Sequence, residues 1–455
     1  MPSLDHGAER PPIVARYDVL VAGGGASGLV AAASAARAGA RVAVVERAGC
    51  LGGTATASMV AQWLGFFNRD TRVVGGLPLE LTERVCQAGG SEGFRRYTLG
   101  EALKNPLPLV NFPFNPEIVK IVADELLADA GVDVLLHTQV AEPVMEAGRV
   151  RGLVIQNVSG RSAVAAETLI DATGDAAVAH ACGVACADPD FDRHGRQPCT
   201  LVFRLSNIDV RRFRAVPRDE KRALALEGVR RGDLPWESLS FCSTPGDTDA
   251  ISLMSRIHGI DALDGTEASR AMAVGRQQIK RILPFLRANV PGFERAVLSG
   301  IAEQLGVRET RRIVGRYTLR AEDIRGRVRF DDSIALGAGP VDVHDEKGTG
   351  VSLWMPDGPF EIPLRTMLPT DVHGLVVTGR AISATREANG GARHMATAMA
   401  LGEAAGVCAA LVAKGRDLAD IAADVRAALR SRGALVAAED VARVAQPEPE
   451  SIPAI

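Results

Sequence analysis

The sequence has little of what several functional classes require. Its seven cysteines form no CxxC pair and no iron–sulfur spacing, which argues against a dithiol redox centre and against an iron–sulfur protein. Cys182 and Cys186 are four residues apart, and we interpret them as small buried thiols rather than as a redox pair. The net charge of -3 offers no electrostatic basis for binding nucleic acid. We also find no HExxH motif, P-loop or Ser–His–Asp order, and we expect no metal site.

Long apolar segments are also scarce. We find no run of about 18 apolar residues, so we expect no membrane span. The first residues, MPSLDHGAERPPIVARYD, have no apolar core of the signal-peptide type. The segment AQPEPESIPAI is rich in proline and polar residues, which is typical of a disordered tail. These observations predict a cytoplasmic protein, and the length of 455 residues predicts two domains.

The stretch from Tyr17 to Glu46 carries the strongest positive signal. An apolar run leads into Gly-Gly-Gly-Ala-Ser-Gly, an alanine-rich helical segment follows, and a second apolar run ends on an acid. In a dinucleotide-binding βαβ unit, Gly23 permits the tight turn, Gly25 lets a pyrophosphate approach, and Gly28 lets the helix pack on the strand. Glu46 stands where a carboxylate accepts hydrogen bonds from a ribose. An ordinary glycine-rich loop is the alternative.

Later segments favour FAD over NAD. A second glycine turn, Gly52-Gly53-Thr54, follows directly after the acid, where a longer cofactor would continue toward its flavin ring. Leu169–Asp175 and Leu375–Arg380 read as further buried strands that end in tight turns, and a helix of small residues is expected from about His394 to Ala413. No second GxGxxG follows a strand, so we expect no separate NAD(P)H domain.

The remaining sequence predicts a discontinuous arrangement. Asn115 should cap a helix that begins at Pro116 and runs to Ala130. A short strand follows at 132–136, and three short strands at 140–146, 150–157 and 162–167 predict an antiparallel meander. The segment 207–355 changes to helices rich in arginine and glutamate. We therefore assign 14–70, 110–206 and 365–433 to an FAD-binding domain, 71–109 and 207–364 to a substrate or cap domain, and 434–455 to a tail.

Several longer motifs resemble one protein family. They are LGGTATASMV, IDATGDAAVA, QPCTLVFRL, RETRRIVG, PVDVHD and GRAISATREANGGARHMATAMALGEAAG. The chain is similar, from about Tyr17 to Gly433, to the bacterial FAD-dependent oxidoreductase family of the glutathione-reductase-like superfamily. The resemblance implies an α/β fold, with a Rossmann-like FAD-binding domain, a parallel central sheet, an antiparallel β-meander and an inserted α+β substrate domain. The Tyr17–Glu46 unit together with Gly52-Gly53 predicts that FAD is bound non-covalently.

The resemblance assigns cofactor contacts to four groups of residues. The first glycine loop and its acid should hold the ADP half, and the second glycine turn should lie by the pyrophosphate and the ring. Gly379 and Arg380 should approach the pyrophosphate and the ribityl chain. The helix that starts near Met395 should point its N-terminus at the flavin pyrimidine edge, where its dipole would stabilise negative charge. The expected cofactor residues are Gly23, Gly25, Ala26, Ser27, Gly28, Glu46, Arg47, Gly52, Gly53, Thr54, Ala55, Val140, Ala172, Thr173, Gly174, Gly379, Arg380, Met395 and Ala396.

Three side chains are candidates for the chemistry. His394 opens the helix expected to face the flavin, His344 lies in the acid–His element VDVHD, and Arg386 lies in the loop before that helix. For each histidine the alternative is a residue bonded to backbone or lying at the surface. Arg308 and Arg312 are spaced to share one helix face, where they could clamp a substrate carboxylate or phosphate, or anchor the domain by ion pairs.

These patterns predict an FAD-dependent oxidoreductase that transfers hydride equivalents to or from a small organic substrate, by dehydrogenation or ene-type reduction. One alternative is a flavin monooxygenase with an external reductant, although that group usually carries an acid–Gly turn where this chain has Val377-Thr378-Gly379-Arg380. Another alternative is a flavin-binding subunit of a larger redox complex. An external electron donor or acceptor and a homo-oligomer are both compatible with the sequence.

Overall fold

The computed structural model describes residues 11–99, 107–187, 196–344, 351–418 and 420–444. Within them the strands are β1 (Ile13–Ala22), β2 (Val42–Val45), β3 (Gln62–Trp63), β4 (Phe67–Asn68), β5 (Thr71–Arg72), β6 (Arg95–Leu99), β7 (Leu107–Pro113), β8 (Asp133–Leu135), β9 (Gln139–Glu146), β10 (Arg149–Asn157), β11 (Gly160–Asp171), β12 (Cys186–Ala187), β13 (Phe203–Ser206), β14 (Phe241–Ser243), β15 (Asp249–Ser252), β16 (Val297–Ile301), β17 (Arg312–Ile313), β18 (Ser333–Gly337), β19 (Val341–His344), β20 (Val351–Trp354), β21 (Phe360–Pro363) and β22 (Leu375–Val377).

The helices of the same ranges are α1 (Ala26–Arg37), α2 (Gly76–Gln87), α3 (Pro116–Asp129), α4 (Ala177–Ala181), α5 (Val210–Arg214), α6 (Arg218–Arg230), α7 (Gly265–Asn289), α8 (Ala321–Gly326), α9 (Arg386–Ala392), α10 (Met395–Ala413), α11 (Ala422–Arg430) and α12 (Ala438–Val441). Short 3-10 turns occur at Gly53–Ala55, Leu364–Met367 and Gly379–Ala381. As predicted, the Asn115 side chain caps α3 by accepting a hydrogen bond from the Glu117 N–H.

The central sheet is parallel on the side that carries the glycine motifs. Its strands β8, β2, β1 and β11 are adjacent in that order and parallel, and β22 pairs in parallel with the end of β11. The first half of β11 pairs antiparallel with β10, which pairs with β9. This confirms the predicted α/β class with a Rossmann-type parallel sheet and a meander.

One predicted boundary inside this sheet is wrong. The sequence predicted a meander strand at 162–167 and a separate buried strand with a tight turn at 169–175, but β11 is continuous from Gly160 to Asp171. The reason is that β1 pairs with β11 from Ala163 through Asp171, and this supplies backbone partners across the expected break. The first half of β11 therefore belongs to the meander, and its end leads into the turn at Gly174.

Helices α1 and α10 cross on one face of the sheet at very short distance. A β-carbon at Gly402 would lie 2.2 Å from the Ser27 carbonyl oxygen, and one at Gly406 would lie 2.3 Å from that of Ala31. Only glycine therefore permits this crossing, which accounts for the small residues predicted in this helix. The contact holds the N-terminal half of α1 against the middle of α10.

The apolar character of α10 exceeds what we expected. By length and composition alone this helix is long and apolar enough to cross a membrane, although Thr397 and Glu403 interrupt its apolar residues. However, 78% of its apolar window is buried inside the protein, as in the core helix of a globular fold. We therefore interpret α10 as a core helix.

A second set of sheets lies away from the central one. Strands β14, β15, β13 and β16 form an antiparallel sheet, and β3, β7 and β6 form another. The strand β13 falls in the predicted FAD-binding segment but pairs with strands of the predicted substrate domain, and the division into domains stays a prediction.

The predicted tail does not begin at residue 434. Leu435, Val436 and Ala437 are buried, and the Ser333 hydroxyl donates to the Val436 carbonyl at 2.5 Å. This segment packs on the fold because its apolar side chains are covered by neighbouring elements. Residues 445–455, the proline-rich half of the predicted tail, lie outside the described residues.

Candidate active site

The carboxyl ends of four parallel strands meet at one edge of the central sheet. Gly23 follows β1, Glu46 follows β2, Ala172 follows β11 and Thr378 follows β22. Open parallel sheets bind ligands at this edge because the loops leave the sheet there and helix N-termini point toward it. The structure thus brings the first glycine loop, Glu46 and the turns that follow β11 and β22 to one edge of the sheet.

The three glycines of the first loop have different roles. Gly23 has a φ of 96°, and a β-carbon there would lie 2.7 Å from the Ala172 carbonyl oxygen. A β-carbon at Gly28 would lie 1.8 Å from the Gly23 carbonyl oxygen. At Gly25, in contrast, the nearest atom would be Gly53 Cα at 4.0 Å. The fold therefore requires glycine at Gly23 and Gly28, while the space beside Gly25 remains available to a ligand.

The N-terminus of α1 has the properties of a phosphate site. Gly25 is its N-cap, no side chain caps it, and its first turn contains no acidic residue. The first N–H groups of a helix lack intrahelical partners and lie at the positive end of its dipole. Gly23, Gly25 and Ala26 remain half-exposed although Ser27 and Gly28 are buried. This cradle fits the pyrophosphate of a dinucleotide.

The second glycine turn lies directly on the first. Gly52 and Gly53 have φ values of 97° and 53°, and the Gly52 N–H donates to the Gly24 carbonyl at 2.8 Å. A β-carbon at Gly53 would lie 2.8 Å from Gly25 Cα. Thr54 and Ala55 continue from this turn in a short 3-10 helix. A cofactor on the first loop would therefore pass beside the second.

Glu46 braces the first loop with both carboxylate oxygens. Oε2 accepts from the Gly24 N–H at 2.7 Å and Oε1 accepts from the Ala48 N–H at 2.8 Å. The neighbouring Arg47 is exposed, and the segment leading to Val140 runs alongside, because the Thr138 N–H donates to the Glu46 carbonyl. Each carboxylate oxygen can accept more than one hydrogen bond, so the predicted ribose contact is compatible with this arrangement.

Charged and hydroxyl groups connect the end of β11 with the end of β22. The buried Asp171 carboxylate accepts hydrogen bonds from Thr173 and from the Ala179 N–H, and so shapes the turn through Ala172, Thr173 and Gly174. Arg380 Nη2 donates to Asp175 Oδ1 at 2.7 Å. The adjoining Gly379 has a φ of 72°. Ser27 and Thr378 share a hydroxyl hydrogen bond at 2.9 Å, which ties α1 to the end of β22.

His394 lies at the N-terminus of α10, where the sequence predicted it. Its Nε2 is 2.8 Å from the Pro340 carbonyl oxygen, and its ring packs on Gly339. Burial lowers the pKa of His394 below its usual value. The following Met395 and Ala396 start the helix, and the Ala396 N–H donates to the Leu64 carbonyl at 3.2 Å.

His344 forms a buried pair with Asp342. His344 Nε2 lies 3.1 Å from Asp342 Oδ1, and only 7% of the histidine is exposed. Its other ring nitrogen, Nδ1, is buried and has no hydrogen-bond partner among the described residues. The main chain of this strand is fixed as well, because the His344 N–H donates to the Gln197 side chain at 3.0 Å. The carboxylate therefore orients a histidine whose second nitrogen is buried and has no partner among the described residues.

The protonation states of this pair follow from their surroundings. Burial lowers the pKa of His344 to about 4, although Asp342 opposes the shift. Burial acts to raise the pKa of Asp342, but His344 and then Arg393 outweigh burial and lower it. Near neutral pH the pair is thus an ionised carboxylate and a neutral imidazole. A neutral imidazole with one free nitrogen can accept a proton.

Arg386 is held in a buried ion pair. Its guanidinium nitrogens lie 3.1 and 3.2 Å from the two carboxylate oxygens of Glu309, which also accept from the Gln197 backbone and side chain. Arg393 joins the same cluster by donating to the Asp342 carbonyl and to Gln197. Arg386 therefore anchors the segment before α10, and its catalytic role stays a prediction.

The predicted arginine pair does not exist. Arg308 lies in a loop and Arg312 begins β17, so the two side chains do not share a helix face. Arg308 donates to the Pro198 carbonyl and to Thr200, while Arg312 donates to the Ala384 carbonyl. Partners distant in sequence determine this conformation. Burial lowers the pKa of Arg308 to about 10.

Sequence reasoning missed Gln197 and Glu309, the two residues that connect this cluster. Gln197 contacts Glu309, His344 and Arg393, but an isolated glutamine carries no sequence signal. Glu309 belongs to the RETRR motif, where the acid between arginines was the available indication. The described residues contain no group of three or more histidine, cysteine or acidic side chains that could hold a metal ion.

Comparisons with known proteins agree with this geometry. Residues 18–432 match the family described as FAD dependent oxidoreductase. A digeranylgeranylglycerophospholipid reductase from Methanoculleus marisnigri is 29% identical over 167 residues, covering 35% of this chain and 38% of that protein. The chain thus aligns with less than two fifths of that relative.

Solved structures are similar at a coarser level. A geranylgeranyl bacteriochlorophyll reductase-like protein from Thermoplasma acidophilum has a TM-score of 0.44 and 16% identity, over 94% of this chain and 82% of that one. The flavin-dependent brominase Bmp2 has a TM-score of 0.49 and 13% identity, over 90% of this chain and 83% of that one.

Proposed function

Because the chain belongs to the FAD dependent oxidoreductase family and FAD is its cofactor, we propose that it transfers hydride equivalents between the flavin and a small organic substrate. We further propose that His344 moves the accompanying proton. Bound flavin supplies the redox chemistry, and the protein supplies orientation, electrostatics and proton transfer.

The observation that carries this proposal is the buried Asp342–His344 pair beside the segment that leads into α10. Strand β19, which holds the pair, packs against α9, since a β-carbon at Gly390 would lie 2.9 Å from the Asp342 carbonyl oxygen. Arg393, at the end of α9, donates to that same carbonyl at 2.9 Å. The pair is therefore attached to the chain between the turn at Gly379 and the start of α10, which are both predicted cofactor contacts.

The geometry favours His344 over His394 as the proton-transfer group. His394 uses Nε2 to contact a backbone carbonyl, as a residue that shapes the start of a helix does. His344 instead has a carboxylate on one nitrogen and no partner on the other. An acid that holds a histidine in one tautomer and leaves its far nitrogen for substrate is the usual arrangement for acid–base catalysis.

The other residues of the site would bind the cofactor and orient it. The N-terminus of α1 and the room at Gly25 would hold the pyrophosphate, with Glu46 beside the ribose. The Asp175–Arg380 ion pair, at 2.7 Å, connects the turn that follows β11 with the turn that follows β22. The sequence shows no second dinucleotide unit, so electrons would be exchanged with the substrate itself or with an external donor or acceptor.

The test is anaerobic reduction of the purified yellow holoenzyme by a panel of hydroxylated and saturated metabolites, followed by stopped-flow absorbance with the best reductant. We expect His344→Gln to keep its FAD and to reduce the rate of flavin reduction by about 10²–10⁴-fold, the usual size of acid–base assistance. His394→Gln is the matched control and should retain most of the rate.

Three outcomes would contradict the proposal. A His344→Gln enzyme that is reduced at the wild-type rate would remove this residue from proton transfer. Loss of FAD from that variant would make it a cofactor anchor. Oxygen insertion into a substrate in the presence of an external reductant would favour the monooxygenase alternative instead.

A further inference from the structure

A cavity of about 800 Å³ lies between two of the smaller sheets. Its walls come from β6 and β7 of one sheet, from β14 and β15 of the other, and from the helices α5 and α6. Cavities of about 300–1,000 Å³ are typical of small-molecule sites. The described residues that line it include neither His344 nor any predicted cofactor contact, so this space is distinct from the candidate active site.

Three aromatic rings in mutual contact form one wall of the cavity. The ring centroid of Phe213 lies 5.4 Å from those of Phe241 and Phe293, and the latter two lie 4.7 Å apart. Phe213 and Phe241 are only partly buried, so a molecule in the cavity can reach their rings. Because apolar surface is more stable when it is removed from water, this wall favours a ligand with an apolar body.

Positively charged side chains surround the apolar wall. Four basic residues line the cavity, namely Arg69, Arg96, Arg214 and Lys221. Among the described residues of the lining, Asp70 is the single acid, and it pairs with Arg96, while Arg214 pairs with Asp247 at 3.2 Å. The side chains of Arg96 and Arg214 are still 33% and 34% exposed, so a ligand can contact them. Two acids thus face four cations, and the cavity has an excess of positive charge over the described part of the chain.

Lys221 joins this charge to the aromatic wall. Its ammonium nitrogen lies 4.9 Å from the centroid of the Phe213 ring and donates to the Arg214 carbonyl at 3.5 Å. A ligand that covers the rings of Phe213 and Phe241 would therefore place one of its ends beside this ammonium group. Like charges that lie close together repel one another, and an anion between them replaces this repulsion with attraction.

We propose that the cavity binds an amphipathic organic anion, with its apolar body on the three phenylalanine rings and its charged head group at Lys221 and Arg214. A neutral ligand would leave the excess positive charge without a counter-ion, and a small inorganic anion would leave the rings in contact with water. Arginine and lysine pair with carboxylates and with phosphates alike, so negative charge is the feature that both head groups share. This site goes beyond the proposed function and does not rest on it.

The probes are 2-naphthoate and 2-naphthyl phosphate, each titrated by calorimetry into the FAD-loaded protein at pH 7. The tighter of the two identifies the head group. 2-Naphthol offers the same body without the charge, and acetate offers the charge without the body. Both should bind at least about 10-fold more weakly than 2-naphthoate, because each makes only one of the two kinds of contact. Raising the salt concentration to about 0.5 M should weaken the binding of 2-naphthoate, since salt screens exposed charges.

One variant locates the head group. Lys221→Gln should raise the Kd of 2-naphthoate about 3- to 10-fold, as expected for the loss of one partly exposed charge contact. Lys280→Gln is the matched control, because it removes the same charge from an exposed position of α7 that does not line the cavity. This control should bind 2-naphthoate with the wild-type Kd.

The results separate this proposal from the proposed function. Absence of binding by both anionic probes would overturn it, and so would equal Kd values of 2-naphthoate for Lys221→Gln and Lys280→Gln. Binding of 2-naphthol as tightly as 2-naphthoate would also overturn it, because the site would then be apolar only. His344→Gln should bind 2-naphthoate with the wild-type Kd. If that variant also reduces its flavin at the wild-type rate, the proton-transfer role fails while the binding site stands.

Discussion

Replacing Gly25 by valine should remove FAD from the protein while leaving the fold intact. A β-carbon at this position has no atom closer than Gly53 Cα at 4.0 Å, and the φ of -66° is accessible to valine. The side chain would therefore extend into the space in front of the α1 N-terminus, where a pyrophosphate is expected. The perturbation thus acts on the cofactor and not on internal packing.

The magnitude follows from the contacts that the pyrophosphate would lose. Charge-assisted hydrogen bonds are worth about 1.5–3 kcal/mol each. Displacing the pyrophosphate from two N–H groups at the helix start would cost about 3–6 kcal/mol, or roughly 10²–10⁴-fold in Kd. The variant should be purified without yellow colour at concentrations where the wild type is saturated.

The assay measures FAD released by heat, together with the thermal unfolding of apoprotein prepared from each variant. Gly265→Val is the matched control: this glycine also lies at the start of a helix, α7, with open space around it, but the Asp264 side chain already caps that helix. Gly28→Ala provides the opposite comparison and should destabilise the apoprotein, because its β-carbon would lie 1.8 Å from a carbonyl oxygen. Wild-type FAD content in Gly25→Val, or heat-released NAD in place of FAD, would refute the reasoning.

The remaining predictions concern two buried glutamates. Glu46→Arg should weaken FAD binding severely, through the loss of charge-assisted hydrogen bonds of about 1.5–3 kcal/mol each; an unchanged Kd in a flavin titration would rule out its ribose role. Burial raises the pKa of Glu403 to about 7, so the stability that this group contributes is present at acid pH and is lost as the pH rises through 7. Glu403→Gln resembles the protonated form of this group. In urea unfolding, this variant should raise the free energy of unfolding by up to about 3 kcal/mol at pH 8 but hardly at pH 4.5. An equal gain at both pH values would exclude titration of Glu403.

Much of the geometry of the candidate cofactor site could be predicted from the sequence because its signals are local. A tight glycine turn, a helix start without a cap and an acid after a strand all lie within the stretch from Tyr17 to Glu46. Backbone sterics and helix ends determine their geometry, and these depend on neighbouring residues. The Asn115 cap and the small residues of α10 were predictable for the same reason.

Only the tertiary structure decided which distant side chains meet. Arg308 and Arg312 have helical spacing, yet β-pairing and carbonyls more than 70 residues away hold them in extended chain. The cavity between the sheets and the partnerless nitrogen of His344 likewise depend on packing between segments separated by more than 100 residues, such as Gln197 and His344. A sequence pattern indicates what a residue can do locally, whereas burial, partners and pKa are properties of the packed molecule.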